Sequence, residues 1–326
     1  MATELKLSSP MKLMSVTVTL ALALAGGTGS GRLRAQSGPP EPVPTFKSSI
    51  DLVRVAAIVR DHKGRFVQDL TVHDFEVLDG GERRPIAEFS RDSSGVSIAL
   101  LFDVSGSMEG KLPNAREAAV HLLSWLDPAR DEAAIFTFSS RLDEVVPFTE
   151  GLKALPTSMD SMVPFGETSL HDAIAQTARR AGAREGRHRA VVVLTDGNDN
   201  ASRLTPAEVS GIASQIDVPV YLFGIVPLID NPASELSTMS VSGSALAGPL
   251  ADLAARTGGH VFTASSPGQR SAAARQIVEE MRHQYLIAFE SSGNPGWHQL
   301  VVRARQKDLT VRARNGYMAG QSHPSL

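Results

Sequence analysis

The sequence of 326 residues contains no cysteine. This absence excludes disulfide bonds, thiolate metal sites, a thiol nucleophile and lipid attachment through cysteine. Exported bacterial proteins can do without disulfides when their core is large enough, so the absence is compatible with export. The apolar content of 42% and the charged content of 21% are typical of a globular protein.

Long apolar segments are also scarce. The one near the start, at 13–25, is too short to span a bilayer comfortably; Lys6 and Lys12 precede it and small residues follow it. This order predicts a secretory signal peptide over 1–35, followed by a proline-rich linker over 36–45. No later segment is long and apolar enough to cross a membrane, so we expect no transmembrane segment in the mature chain. The expected location is the periplasm, the cell surface or the medium of a bacterium.

The chain has no excess of basic residues. The whole sequence has 32 Lys and Arg against 35 Asp and Glu, and the first 35 residues carry four basic residues and one acidic residue. Removing them leaves 28 basic and 34 acidic residues, a formal charge of −6. Nucleic-acid binders usually present a basic face, so this balance argues against a nucleic-acid partner.

Common catalytic motifs are missing as well. The sequence contains no GxSxG elbow, no HExxH and no paired-carboxylate hydrolase signature. The stretch GSMEGK resembles a phosphate-binding loop only in part. The first glycine that such a loop requires is absent, and Leu112 stands where Ser or Thr is required.

The middle of the chain, 94–283, alternates apolar strands with helical segments. Continuous apolar runs such as VSIALLFD and RAVVVL indicate strands buried on both faces. Thr205 and Pro206 have the residue types of a helix N-cap and first helical position, and the last helix is predicted over 271–283. This alternation predicts an α/β fold with a doubly wound, mostly parallel sheet and helices on both faces.

The flanks at 46–93 and 284–326 are rich in strands. Turns at 61–64 and 79–82 predict two hairpins in the first flank. The second flank contains three predicted strands, at 284–291, 297–306 and 309–318. We expect the flanks to pair into one small antiparallel β-module.

Four arginines of the tail strands are expected at a solvated edge, where charge also blocks strand-to-strand aggregation. These are Arg303, Arg305, Arg312 and Arg314.

Side-chain oxygens cluster in the loops that follow the core strands. Asp103, Ser105 and Ser107 follow the first core strand, Thr168 precedes a helix, and Asp196 follows RAVVVL. In an open parallel sheet, ligands bind outside the carboxyl ends of the strands. Hydroxyl and carboxylate oxygens suit Mg²⁺, with Mn²⁺ or Ca²⁺ as alternatives, and do not suit zinc. The sequence therefore predicts a divalent-metal site with a position open to a ligand.

This combination of motifs, Asp-x-Ser-x-Ser, Gly-x-Thr-x-Leu and Thr-Asp-Gly, resembles the von Willebrand factor A domain with its metal-ion-dependent adhesion site. The resemblance covers about 94–283, and the flanks resemble those of bacterial secreted VWFA-related proteins. It implies a Rossmann-like core in which Ser105 and Ser107 bind the metal directly. Asp103 and Asp196 would act mainly through water, and Thr168 directly or through water.

The resemblance also implies a function. An Asp or Glu carboxylate on a partner protein would complete the metal coordination, so the expected activity is metal-dependent adhesion and not catalysis. In some relatives, ligand binding moves the last helix, here at 271–283.

Other interpretations of the same residues remain open at this stage. In one of them, Asp103, Ser105 and Ser107 bind no metal and simply cap the following helix. A bound ion could serve a phosphoesterase-like hydrolase, with Glu167 or His171 nearby, or it could be structural in a scaffold of an envelope assembly.

Neighbouring residues have their own expected roles. We expect His171 to be solvated and Asp172 to be a structural hydrogen-bond partner. Asp199 and Asn200 would shape ligand choice or turn the chain.

Overall fold

A fully buried strand lies at the centre of the fold. In this computed structural model all eight residues of Val96–Asp103 are buried, as expected for a strand with helices on both faces. The structure describes residues 52–91, 95–184, 186–215, 217–225, 246 and 248–320. The predicted signal peptide, the linker and nearly all of 228–248, a long polar segment predicted to be a loop, lie outside these residues.

The described residues form fourteen strands and five α-helices. The strands are β1 (Leu52–Arg60), β2 (Phe75–Asp79), β3 (Glu82–Arg84), β4 (Ile86–Ser90), β5 (Val96–Asp103), β6 (Glu132–Phe138), β7 (Leu142–Glu150), β8 (His188–Thr195), β9 (Val220–Ile225), β10 (Val261–Ala264), β11 (Gln284–Glu290), β12 (Gly296–Ala304), β13 (Thr310–Ala313) and β14 (Gly316–Ala319). The helices are α1 (Leu112–Trp125), α2 (Leu170–Gly182), α3 (Pro206–Gln215), α4 (Pro249–Thr257) and α5 (Pro267–Arg282).

The central sheet has six strands in the order β10-β9-β8-β5-β6-β7. All neighbouring strands are parallel except β6 and β7. Helices α1 and α5 pack on one face, and α2, α3 and α4 pack on the other. Thr205 caps α3 as predicted, because its hydroxyl accepts from the amide of Glu208 while the Glu208 carboxylate accepts from Thr205. The predicted α/β fold class is confirmed.

The flanks build two four-stranded sheets in the orders β13-β1-β11-β4 and β14-β12-β2-β3. β1 pairs antiparallel with β11, so the two flanks are joined strand to strand. Both sheets contribute to one apolar core that contains Val55, Tyr285 and Leu300. The domain boundaries predicted at 94 and 283 stay predictions.

Three sequence predictions about these elements need correction. The turn at 61–64 leads to a single bridge, between Arg60 and Phe66, and not to a second full strand. Both edges of β1 are already paired, one with β11 and the other with β13. The last predicted strand splits into β13 and β14, which belong to different sheets. Helix α5 begins at Pro267, four residues before the predicted start, because Ser266 and Gln269 form a capping box.

Two of the four tail arginines are not at a solvated edge. Arg314 is buried and donates to the carbonyl oxygens of Arg54 and Ser214. Arg312 contacts the buried carboxylate of Glu280 on α5. Because burial strips water from a charge, these guanidinium groups need the partners that the core provides.

Glu280 joins α5 to the flanking strands. Its carboxylate is 2% exposed and accepts from Arg312 of β13 and, at 3.0 Å, from Arg60 of β1. Arg312 also donates to the carbonyl oxygen of Gly259 at 2.8 Å. The core and the β-module therefore share a buried ion-pair network.

Replacing Arg312 with Met should lower the free energy of unfolding by about 3 kcal/mol, because a buried carboxylate loses one of its two cations. The measurement is urea unfolding followed by circular dichroism.

A matched control is available at the surface. Arg141 and Asp143 form an ion pair with both side chains more than half exposed, so Arg141→Met should change the unfolding free energy by less than about 1 kcal/mol. Equal losses in the two variants would show that the Glu280 network does not hold the β-module to the core.

Candidate functional site

Two neighbouring central strands bring the first acidic residue of the site against a threonine. β5 and β8 are parallel, with Phe102 opposite Leu194, so the next residues along both strands lie at the same edge of the sheet. There the Thr195 hydroxyl donates to Asp103 Oδ2 at 2.7 Å. This hydrogen bond joins the last residue of β5 to the last residue of β8.

The predicted ligands continue from this contact as a chain of oxygens. Ser105 Oγ donates to Asp103 Oδ1 at 2.6 Å and lies 3.1 Å from Ser107 Oγ. Ser107 Oγ in turn donates to Asp196 Oδ1 at 3.2 Å. The structure therefore brings four of the five predicted ligands into direct succession.

Thr168, the fifth predicted ligand, is fixed beside this row of oxygens by hydrogen bonds of its backbone. Its amide donates to Asn200 Oδ1 at 2.8 Å, and its carbonyl oxygen accepts from the amides of Asn200 and Ala201. In the described part of the protein its hydroxyl makes no hydrogen bond to the other four predicted ligands. Thr168 thus belongs to the same edge, tied to the loop that follows Asp196.

The local sequence explains why the first loop has this shape. The amide of Ser105 donates to Asp103 Oδ1 at 3.0 Å, which turns the chain directly after β5. A single 3-10 turn at Gly106–Met108 then points Met108 into the core. The amide of Gly106 donates to the carbonyl oxygen of Gly166 at 3.0 Å, so the loops that carry Ser107 and Thr168 are joined.

The spacing of the oxygens fits a hard cation. Two adjacent ligands of an octahedral Mg²⁺ ion lie about 3 Å apart when each metal–oxygen bond is about 2.1 Å. The hydroxyl oxygens of Ser105 and Ser107, the two expected direct ligands, lie 3.1 Å apart, close to this edge length. The donor set consists of hydroxyls and carboxylates only, which favours Mg²⁺, Mn²⁺ or Ca²⁺.

The charges at the site are unevenly placed. Asp103 is fully buried, and burial raises the pKa of its carboxyl above the usual value, with the nearby Asp196 adding to the effect. Asp196 forms an ion pair with Lys111 at 2.7 Å between Nζ and Oδ2. Sequence reasoning gave Lys111 no role, because the phosphate-loop pattern of GSMEGK, in which it stands, is incomplete. It also gave no role to Thr195, although the hydroxyl next to Asp196 was a usable signal.

The residues around Thr168 form a second polar network. His171 is not solvated as expected: its Nδ1 lies 3.0 Å from Asp199 Oδ2, and burial lowers its pKa. Asp172 is confirmed as a structural partner, because it accepts from the amides of Arg203 and Leu204. These contacts hold the loop after Asp196 against α2.

Burial alone would raise the pKa of Asp199. Hydrogen bonds from Ser202 and from the amide of His171 outweigh that effect and hold the pKa below its ordinary value. Asp199 therefore stays ionised as a fixed acceptor within this network.

The described ranges contain neither a three-residue cluster of metal-binding His, Cys, Asp or Glu side chains nor a membrane-spanning helix. No three His, Cys, Asp or Glu side chains gather there in a way that could hold a metal, which agrees with a predicted site that contains only two carboxylates. None of the helices in those ranges has the length and apolar character needed to cross a membrane.

Comparison with known proteins places the core in a family. Residues 97–279 match the model of the von Willebrand factor type A domain, and no curated protein matches the sequence. Similar solved structures include an aerotolerance-related membrane protein from Bacteroides fragilis, 19% identical over 57% of this chain and 98% of that one, with a TM-score of 0.45.

Two further structures show similar levels of likeness. A von Willebrand factor type A protein from Catenulispora acidiphila is 14% identical over 86% of this chain and 76% of that one, with a TM-score of 0.44. Proximal thread matrix protein 1 from the mussel byssus, with zinc in its MIDAS motif, is 21% identical over 63% and 50%, with a TM-score of 0.45. Likeness of this degree does not extend to function. The family model, in contrast, matches more than half of the 326 residues, and the chain therefore belongs to the von Willebrand factor type A domain family.

Proposed function

We propose that this protein binds a divalent metal ion, Mg²⁺ by preference, and uses it to capture a carboxylate of a partner protein. The proposed ligands are Asp103, Ser105, Ser107, Thr168 and Asp196. The observation that carries the proposal is the succession of four of these side chains at one sheet edge, in which the hydroxyl oxygens of Ser105 and Ser107 have the 3.1 Å separation of neighbouring ligands of one hard cation.

The charge of the donor set favours an added anion. Asp103 and Asp196 supply two negative charges, whereas the three hydroxyl ligands are neutral. In the proposed arrangement Ser105 and Ser107 contact the ion directly and the two acids act mainly through water. A divalent ion held in this way keeps attraction for a further carboxylate, because its nearest protein ligands carry no charge.

The protein's own residues hold the site in shape. Thr195 fixes one oxygen of Asp103, and the other oxygen orients Ser105. Such supporting contacts set the direction of a ligand's lone pairs and contribute to metal affinity. The proposed adhesion therefore needs little rearrangement of these side chains.

Binding is better supported than catalysis. His171, a candidate base, is engaged with Asp199, and neither His171 nor Glu167 contacts the oxygen chain in the described residues. The proposal is accordingly a non-enzymatic adhesion protein. A purely structural metal in an envelope scaffold is the remaining rival.

Two further parts of the proposal rest on sequence. The basic, apolar and small residues of the first 35 positions support export from a bacterial cell, to the periplasm, the surface or the medium. The lack of a basic excess supports a protein partner and not a nucleic acid.

Ser107→Ala should weaken Mn²⁺ binding by about 100-fold, because the ion loses a direct ligand. Titration calorimetry or Mn²⁺ electron paramagnetic resonance measures the affinity. Ser124→Ala removes an exposed hydroxyl at the far end of α1 and should leave the affinity unchanged. Undiminished binding in Ser107→Ala would remove the proposed site.

Lys111→Met should raise Mn²⁺ affinity roughly threefold to tenfold, because the variant keeps the length of the side chain and removes a positive charge that pairs with Asp196. The same titration gives the result. A fall in affinity would instead show that Lys111 mainly positions the Asp196 carboxylate.

Capture of an envelope protein by the immobilised chain should depend on metal. A pull-down in Mg²⁺ should recover a partner that is released by chelator and is not retained by Ser107→Ala. If chelation lowers the melting temperature but leaves capture intact, the structural-metal rival is correct.

A further inference from the structure

Two apolar side chains beside the proposed metal site are almost fully exposed. Val163 is 78% exposed and Phe165 is 84% exposed. We call this pair the apolar ridge. The other exposed large apolar side chains among the described residues are only 39–44% exposed.

Exposed aromatic groups elsewhere are covered by cations. The guanidinium carbon of Arg275 lies 5.2 Å from the ring centre of Trp125, and that of Arg256 lies 5.0 Å from Trp297. Phe165 has no such cover in the described part of the chain. Removing so exposed an apolar side chain from water is energetically favourable, so a partner that covers it gains affinity.

The backbone places the apolar ridge directly beside the proposed ligands. The amide of Phe165 donates to the carbonyl oxygen of Val104 at 2.9 Å, and the amide of Gly106 donates to the carbonyl oxygen of Gly166 at 3.0 Å. Val104 and Gly106 alternate with the ligands Asp103, Ser105 and Ser107 along the sequence. Phe165, one of the two residues of the ridge, therefore lies beside the loop that carries three of the five proposed ligands.

The same contacts hold the backbone of Phe165 in place before any partner binds. Gly166 has a φ of +90°, a conformation that glycine adopts without strain. The chain therefore turns immediately after Phe165 and continues to Thr168. The backbone at Phe165 is held by these hydrogen bonds and loses little conformational freedom on binding, so contact there adds efficiently to affinity.

We propose that the apolar ridge is the second half of the ligand-binding surface. The partner segment would present an apolar side chain within two residues of the carboxylate that reaches the metal. Backbones joined by hydrogen bonds lie about 4.8 Å apart, a distance that one or two residues of an extended peptide span. This inference rests on the proposed metal-dependent binding and specifies the chemistry of the partner.

A peptide selection tests the inference. A phage-displayed library of random peptides is bound to the full chain in Mg²⁺ and eluted with chelator. The expected clones contain Asp or Glu with Leu, Ile, Val, Phe, Tyr or Trp within two positions. The double variant Val163→Ser/Phe165→Ser should select acidic peptides without this neighbour. Its Mn²⁺ affinity should equal that of the wild type, because no proposed metal ligand is changed.

A double-mutant cycle then measures the coupling. The best selected peptide should bind the double variant roughly tenfold more weakly than the wild type. Replacing its apolar residue with Gly should produce the same loss on the wild type and no further loss on the double variant. Val120→Ser, which changes a half-exposed valine on α1, should leave peptide binding unchanged.

The outcomes separate the two proposals. Chelator-sensitive acidic peptides without an apolar neighbour, or independent losses in the cycle, would overturn the role of the ridge and leave metal-dependent binding in place. Mg²⁺-dependent self-association that the double variant abolishes, with no enriched peptide motif, would assign the ridge to a second copy of the chain and overturn the inference. A library without any chelator-sensitive clone, tested on protein that binds Mn²⁺, would overturn the carboxylate capture itself.

Discussion

The buried carboxylate of Asp103 is the constraint around which the proposed site is arranged. It has no exposure to water, so its two oxygens need donors from the protein, and Thr195 and Ser105 supply them. Thr195 is the last residue of β8, and Ser105 lies two residues after the end of β5. The parallel pairing of β5 and β8 thereby determines where Ser105 starts its loop, and the positions of Ser107 and Asp196 follow from it.

A second buried carboxylate performs a comparable task at the other end of the core. Glu280 on α5 is held by arginines from β1 and β13, which are strands from opposite ends of the sequence. β11 follows α5 after a single residue, His283, and pairs with β1. The flanks are therefore fastened to the core both through the chain and through charge.

Sequence patterns were sufficient for the core and for the composition of the proposed site. The unbroken apolar runs of β5 and β8 indicated their burial, and strand-end topology grouped Asp103, Ser105, Ser107, Thr168 and Asp196. Strand pairing between distant parts of the sequence was harder to predict. The turn at 61–64 is a good local hairpin signal, whereas the actual partners of β1 lie more than 200 residues away. Lys111, His171, Arg312 and Arg314 were missed or misplaced for the same reason. Their positions depend on partners that no local pattern specifies.

The ion pairs of Glu280 with Arg60 and Arg312 have a consequence for how the chain can be divided. The family match ends at residue 279, one position before this carboxylate, whereas Ser49–Leu326 forms one compact unit. A fragment cut at the family limits would lose β1, β11 and β13, and the inner face of α5 near its end would meet solvent. The stretch that the family model matches is thus shorter, in this protein, than the compact unit to which it belongs.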